Sequence, residues 1–326
     1  MQLLNLIENE SLKILRRRRF TIIVAILCTI LGLVAYSQYR QLQARASRDW
    51  RVVIQQRVVQ YQNMLRRERI AASWARSIRA EVGRLQYYLD HDIDPERPTA
   101  PLFARTFANA AGFLLLPLLV AVLGSDIVSA EGSEGTDKLL LTRPVRRWKI
   151  LLSKMVALFM FTTITLVVGG ILAYGISSTV LDPRGWDAPV YSGFQVSDRG
   201  NLNFEQVRQL PLWKDALIAY GLEWFAILVV ASISLMLSVI FRSNAAAMGT
   251  MLASLIGGTI LTRLSPDWTA GKYLFVSALP LADYYSGQAP PYDGMPLTFC
   301  VTLLAVWGAG ALGVAFALFT RRDVFG

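Results

Sequence analysis

The feature that most constrains this chain is a set of apolar runs, each long enough to cross a bilayer. Crossing takes about 20 apolar residues at about 1.5 Å of rise each. Such runs start near Phe20, Phe107, Leu151, Leu217, Ala245 and Pro296. Of 326 residues, 54% are hydrophobic, more than the roughly 45–50% of a soluble domain. The expected fold is an all-α polytopic membrane protein with six transmembrane helices. A soluble enzyme is a poor fit to this pattern.

The runs divide the chain. An interfacial helix is expected over 1–19, where Leu3, Leu4, Ile7, Ile14 and Leu15 fall near one face and Asn9, Glu10 and Lys13 elsewhere. Spans are expected over 20–39, 106–129, 151–180, 214–241, 245–262 and 296–319. Between them lie a helical extracytoplasmic insertion (40–105) and a cytoplasmic loop (130–150). An extracytoplasmic loop (181–213), an extracytoplasmic or re-entrant segment (263–295) and a cytoplasmic tail (320–326) complete the division. The first run follows Arg16, Arg17, Arg18 and Arg19 and has no small-residue cleavage site after it. A retained helix is therefore expected rather than a cleaved signal peptide.

Charge orients the spans. The chain carries a formal net charge of +10. With a cytoplasmic N-terminus, six spans place Arg16 to Arg19, Lys138, Arg143, Arg146, Arg147, Lys149, Arg242, Arg321 and Arg322 on one side. The loops at 182–214 and 263–295 are mixed or acidic, as the positive-inside rule requires. The expected location is the bacterial plasma membrane with both termini cytoplasmic. Residues 40–105 are arginine-rich yet external, which the rule tolerates for a long segment.

That segment has a helical pattern of its own. Trp50, Ile54, Val58, Tyr61 and Leu65, then Ala71, Ala75, Ile78, Val82, Leu85 and Leu89, recur at threes and fours. A long amphipathic helix or a helical hairpin bent near 68–73 fits. Its role is open between a cap that packs on itself or on a second copy and an element that handles substrate. In 264–295, Trp268, Tyr273, Phe275, Tyr284 and Tyr285 suit short interfacial or re-entrant helices.

Chemical motifs are sparse. Cys28 and Cys300 lie in apolar runs and the single histidine, His91, in a polar segment, so no metal site is expected. No GxxxxGK[ST] is present, so the chain is expected not to be an ATPase and to bind no cofactor itself. Gly257, Gly258, Gly308, Gly310 and Gly313 sit within spans and are read as packing positions. Nothing points to nucleic acid; membrane lipid is the expected surroundings.

The loop after the second run is the richest segment. Glu131, Glu134 and Asp137 begin a helix and Lys138 follows, an order that suits the helix dipole. Leu139, Leu140 and Leu141 form an apolar patch, Pro144 stops the helix, and Arg146, Arg147 and Lys149 open the next span. An exposed leucine patch on such a helix points to a docking partner.

This stretch resembles the corresponding loop of ABC-2 transporter permeases. The matching residues are Glu131, Gly135, Thr136, Lys138, Leu139, Leu140, Leu141, Arg143, Pro144, Arg147, Lys149, Leu151, Leu152 and Lys154. The opening LIENESLKILRRRR, the stretch LQYYLDHDIDP and the ending FTRRDVF are also similar. The resemblance implies a permease subunit paired with an identical or related permease, and two copies of a cytoplasmic ABC ATPase that carry ATP and Mg. It also implies that Glu131, Glu134, Gly135, Thr136, Lys138, Leu139, Leu140, Arg143 and Pro144 couple to that ATPase, and it favours export.

Two charges lie in or beside spans. Glu223 is open between helix pairing and the substrate path. Asp126 is read as a partner for a loop arginine. The scarcity of such charges argues against a proton- or sodium-coupled carrier and suits a hydrophobic or amphipathic cargo such as a peptide, drug or lipid-like molecule. The alternative reading is a non-transporting scaffold or sensor using the arginine-rich external helix.

Overall fold

The computed structural model describes residues 2–16, 18–45, 49–66, 72–92, 94, 99–129, 146–192, 195–196, 202–203, 208–241, 243–265 and 268–321. The chain is a mostly helical polytopic membrane protein. Five of its helices are long and apolar enough to cross a bilayer, and a sixth crossing requires counting a bent helix pair as one span.

The chain begins with α1 (Gln2–Arg16) and α2 (Arg19–Arg45). A helix pair follows, α3 (Trp50–Leu65) and α4 (Ala72–Asp90). Ile54 and Val58 of α3 bury themselves against Ile78, Val82 and Leu85 of α4, with Trp50, Tyr61, Leu65 and Leu89 beside them. An ion pair between Arg51 and Asp92 joins the start of α3 to the end of α4, so the two run antiparallel. The threes-and-fours stripe therefore forms a hairpin, not one long helix. Asp49 caps α3 by accepting from the Arg51 N–H at 3.0 Å.

The second run is not one straight helix. It forms α5 (Ala100–Phe113) and α6 (Leu115–Gly124), bent by 58°. Pro117 supplies the reason: its ring clashes with the carbonyl four residues earlier, which belongs to Phe113, the last residue of α5. The span also starts earlier than the apolar run indicates, because Thr99 caps α5 and the Ala100 N–H donates to the Asp182 carbonyl at 2.8 Å. This places Arg105 inside the helix rather than in a loop.

α7 (Arg147–Ser177) comes next. The segment expected as plain loop holds four short strands. β1 (Pro189–Ser192) pairs antiparallel with β4 (Arg208–Pro211), and β2 (Gln195–Val196) with β3 (Leu202–Asn203). Strands of two to four residues are too short to leave a periodicity in the sequence.

α8 (Leu212–Ile240) is the central helix, touching α5, α6 and α7. It also touches α9 (Asn244–Leu264) and α12 (Leu297–Arg321). The most apolar stretch of α8 is 67% buried, against 22–39% for the other four spanning helices. Small residues bring its neighbours close: a Cβ on Gly124 would stand 2.5 Å from the Ser234 Cβ, and one on Gly308 3.3 Å from Val229. Gly258 packs on Val276 in the same way, but Gly257, Gly310 and Gly313 have open space where a side chain would go. The packing role read for all five thus holds for only two of them. Between α9 and α12 run a 3₁₀ turn (Thr269–Tyr273), α10 (Phe275–Ala278) and α11 (Leu281–Tyr285). The outer faces expose Ile22, Leu33, Val167, Ile171, Val306 and Leu318, as helices in lipid do.

Candidate functional site

The bundle has two dissimilar ends. At one, α1 lies across the start of α7. Lys154, 1% exposed, donates to Glu10 at 2.9 Å and to the Ile127 carbonyl at 3.0 Å. Lys13 joins the same glutamate at 2.8 Å. Arg19, at the start of α2, pairs with buried Asp126. The residues around these pairs enclose a space of only about 40 Å³. One sequence reading changes here. Glu10, read as lying off the apolar face, is buried because it answers Lys154. Asp126, read as a partner for a loop arginine, meets Arg19 of the N-terminal flank, and the loop at 130–145 lies outside the described residues. Leu4, Leu12 and Leu15 remain exposed on α1.

At the opposite end the elements splay apart around a cavity of about 1000 Å³. The hairpin contributes Arg57, Trp74, Glu81, Arg84 and Tyr88. α5 contributes Arg105, Asn109 and Phe113, α8 contributes Asp215, and α11 contributes Asp283 and Tyr284. Tyr191 of β1 also lines it and meets Tyr87 of α4 edge to face, with ring centroids 5.8 Å apart.

A polar network holds this end together. Arg105 pairs with Asp215, which is 2% exposed, donates to Asn109, and reaches Ser286 Oγ at 2.9 Å. Asn109 also donates to Ser286 Oγ, at 3.3 Å. From the hairpin, Arg84 binds Glu81 at 2.6 Å and donates to the Ser286 carbonyl at 3.4 Å. Ser286 thus ties α5 to α4. Burial pushes the Asp283 carboxyl up to about 6, with Arg105, Arg84 and a hydrogen bond from Asn109 pulling the other way. Burial likewise raises the Tyr88 phenol, which keeps it a hydroxyl donor.

Glu223 is not among the residues that line this cavity. It sits about three turns into α8, 1% exposed, and neither carboxylate oxygen has a hydrogen-bond partner among the described residues. It occupies the space left by Gly112 of α5, where any Cβ would overlap the carboxylate. Glu223 makes no ion pair among the described residues, and it packs two helices together through Gly112.

Residues 79–325 match the family described as "Protein of unknown function (DUF2705)". The chain belongs to that family. Over 329 aligned positions, covering 99% of both chains, it is 25% identical to a Bacillus subtilis (strain 168) protein named "Uncharacterized protein YhcI". It is also 25% identical over 222 positions to "Uncharacterized membrane protein YdbK" of the same organism, covering 65% of this chain and 78% of that one.

These matches correct the resemblance to ABC-2 permeases: the family that matches is DUF2705, and neither relative carries a transporter name. The physical reason lies in the motif. An acidic helix start, a leucine patch, a proline stop and a basic flank suit many cytoplasmic loops between two spans. The residues read as coupling elements, Glu131, Glu134, Gly135, Thr136, Lys138, Leu139, Leu140, Arg143 and Pro144, lie outside the described residues.

Sequence reasoning missed Arg105, Asp215, Lys154 and Glu10 as paired charges. The usable signal was thin: Arg105 and Asp215 each stand at the edge of an apolar run, and a charge drawn into a span needs a partner. Nothing local says which partner.

Proposed function

We propose that the chain is the membrane-spanning subunit of a transporter driven by ATP hydrolysis on a separate chain, with a hydrophobic or amphipathic cargo. The observation that carries this is the asymmetry of the bundle. A cavity of about 1000 Å³ opens at one end while buried ion pairs close the other. An alternating-access protein held in one of its states has this shape. With the basic flanks read as cytoplasmic, the closed end faces the cytoplasm and the cavity faces out, which is an outward-facing state. Six crossings follow if α5 and α6 count as one span, and both termini are then cytoplasmic. The leucine patch at 139–141 would lie on the closed side, where an ATPase could press on it. A second copy or a related chain would complete the path.

Affinity capture of the tagged chain from its native membrane tests this. An ATPase should co-purify, and replacing Leu139 and Leu140 with Asp should release it while the chain still inserts. Capture of no ATPase, or one that survives the double substitution, removes the reading. In that case the arginine-rich hairpin of a scaffold or sensor becomes the better account.

Two observations favour a second reading. The sequence argued against an ion-coupled carrier from its few intramembrane charges, yet the second run is broken and Glu223 is buried with no hydrogen-bond partner among the described residues. Both are features of ion-coupled carriers. Transport in vesicles holding only this chain, driven by an ion gradient, would decide for it.

A further inference from the structure

The α1 helix has two apolar faces, and the bundle uses only one of them. Ile14 packs against the bundle core, and Glu10 reaches Lys154. Leu4, Leu12 and Leu15 fall along another edge and are 70%, 45% and 49% exposed. Glu8 is the exposed carboxylate of α1. The other carboxylates here, Glu10 and Asp126, are answered by Lys154 and Arg19.

The leucine edge ends in cations. Arg16 and Arg18 are exposed and form no ion pair among the described residues. Arg18 takes a left-handed backbone, φ 54°, which glycine adopts more easily. The backbone of this turn therefore gives no reason for an arginine there. At the same end Trp148 is 42% exposed, with the Lys149 ammonium 5.8 Å from its ring, and Arg146 is exposed as well. Tryptophan with basic neighbours marks the headgroup level of a bilayer. The spanning helix α2 starts at Arg19, just past the end of α1, and α1 packs on the spanning helix α7. Its outer edge therefore stands at the bilayer surface.

We propose that this corner is a binding surface for anionic phospholipid. The three leucines lie among acyl chains, and Arg16 and Arg18 hold the headgroup phosphate. A guanidinium suits phosphate because its fork of N–H donors meets two oxygens at once. Lipid bound there keeps α1 on α7 and so holds Glu10 against Lys154. A protein partner would need acidic groups for the arginines and a groove for the leucines. The bilayer that α2 and α7 enter supplies both charge and apolar chains. The proposal depends on neither a cargo nor an ATPase.

Native mass spectrometry of the purified full chain in a non-ionic detergent tests it. Phosphatidylglycerol should bind more tightly than phosphatidylcholine. Arg16→Gln with Arg18→Gln should weaken phosphatidylglycerol by about tenfold or more, since each basic residue at an anionic surface is worth about fivefold. Arg208→Gln, exposed at the opposite end, should leave binding unchanged. Circular dichroism and thermal melting confirm that the variants are folded. A bimane label on Leu12→Cys, in a chain with Cys28→Ala and Cys300→Ala, reports what covers the edge. In vesicles of the two lipids, doxyl-labelled lipid should quench it and aqueous iodide should not. Equal affinity for the two lipids, or a preference that survives the double variant, overturns the proposal. So does quenching by iodide alone, which would leave the edge open to a protein partner.

Discussion

The two ends of the bundle solve one problem in opposite ways. Each draws charge out of water. At the α1 end, Lys154 meets Glu10 and a backbone carbonyl, and the space beside Glu10 is only about 40 Å³. At the other end, Arg105 meets Asp215 beside a cavity of about 1000 Å³. A pair sealed from water depends on its protein partners, whereas a pair beside a cavity with room for many waters has a second source of hydrogen bonds. The closed end is therefore the structural lock, and the open end is where a ligand can take the place of water.

Substitutions at the two ends test that difference. The largest effect is expected from Lys154→Ala, which leaves Glu10 only the half-exposed Lys13 and strands the Ile127 carbonyl. It should cost about 3–5 kcal/mol, read as loss of folded protein on thermal melting in detergent. Replacing both partners together, Lys154→Met with Glu10→Leu, should recover most of that loss. Arg105→Ala should cost less, about 1–3 kcal/mol, because water in the cavity can reach Asp215. If Arg105→Ala costs as much as Lys154→Ala, the two ends do not differ in the way described.

A smaller effect follows from Asp283. Its folded-state value, about 6, lies above its ordinary value of 3.8. An acid raised in this way contributes stability that is full below about pH 4 and is lost as pH rises through about 6. Melting temperature should fall over that window, and Asp283→Asn should flatten the fall. A variant with the same slope as the parent would assign the window to another group. The smallest effect belongs to Gly310→Ala, which meets open space and should change stability by no more than about 0.5 kcal/mol. Gly124→Ala, which would press on Ser234, should cost about 1–3 kcal/mol.

Much of the architecture was legible in the sequence. The five long spanning helices begin and end within a few residues of the apolar runs, save that α2 continues to Arg45. The hairpin core of Ile54, Val58, Ile78, Val82 and Leu85 follows the stripe read at 50–89. The span expected over 106–129 is a bent pair, because Pro117 breaks the helix at the Phe113 carbonyl. The site was less legible. Glu223 stood out as a charge in a span, while its lack of a partner could be seen only beside Gly112.

By itself the sequence determined that this chain enters a membrane, where its long apolar runs lie and where its amphipathic stripe lies. Those outcomes follow from transfer free energies and side-chain spacing, which sum over neighbours along the chain. Only the tertiary structure decided that Lys154 answers Glu10 across 144 residues and Arg105 answers Asp215 across 110. Pairing depends on which helix ends meet in space, and a charge at one position fixes the need for a partner without fixing which residue supplies it.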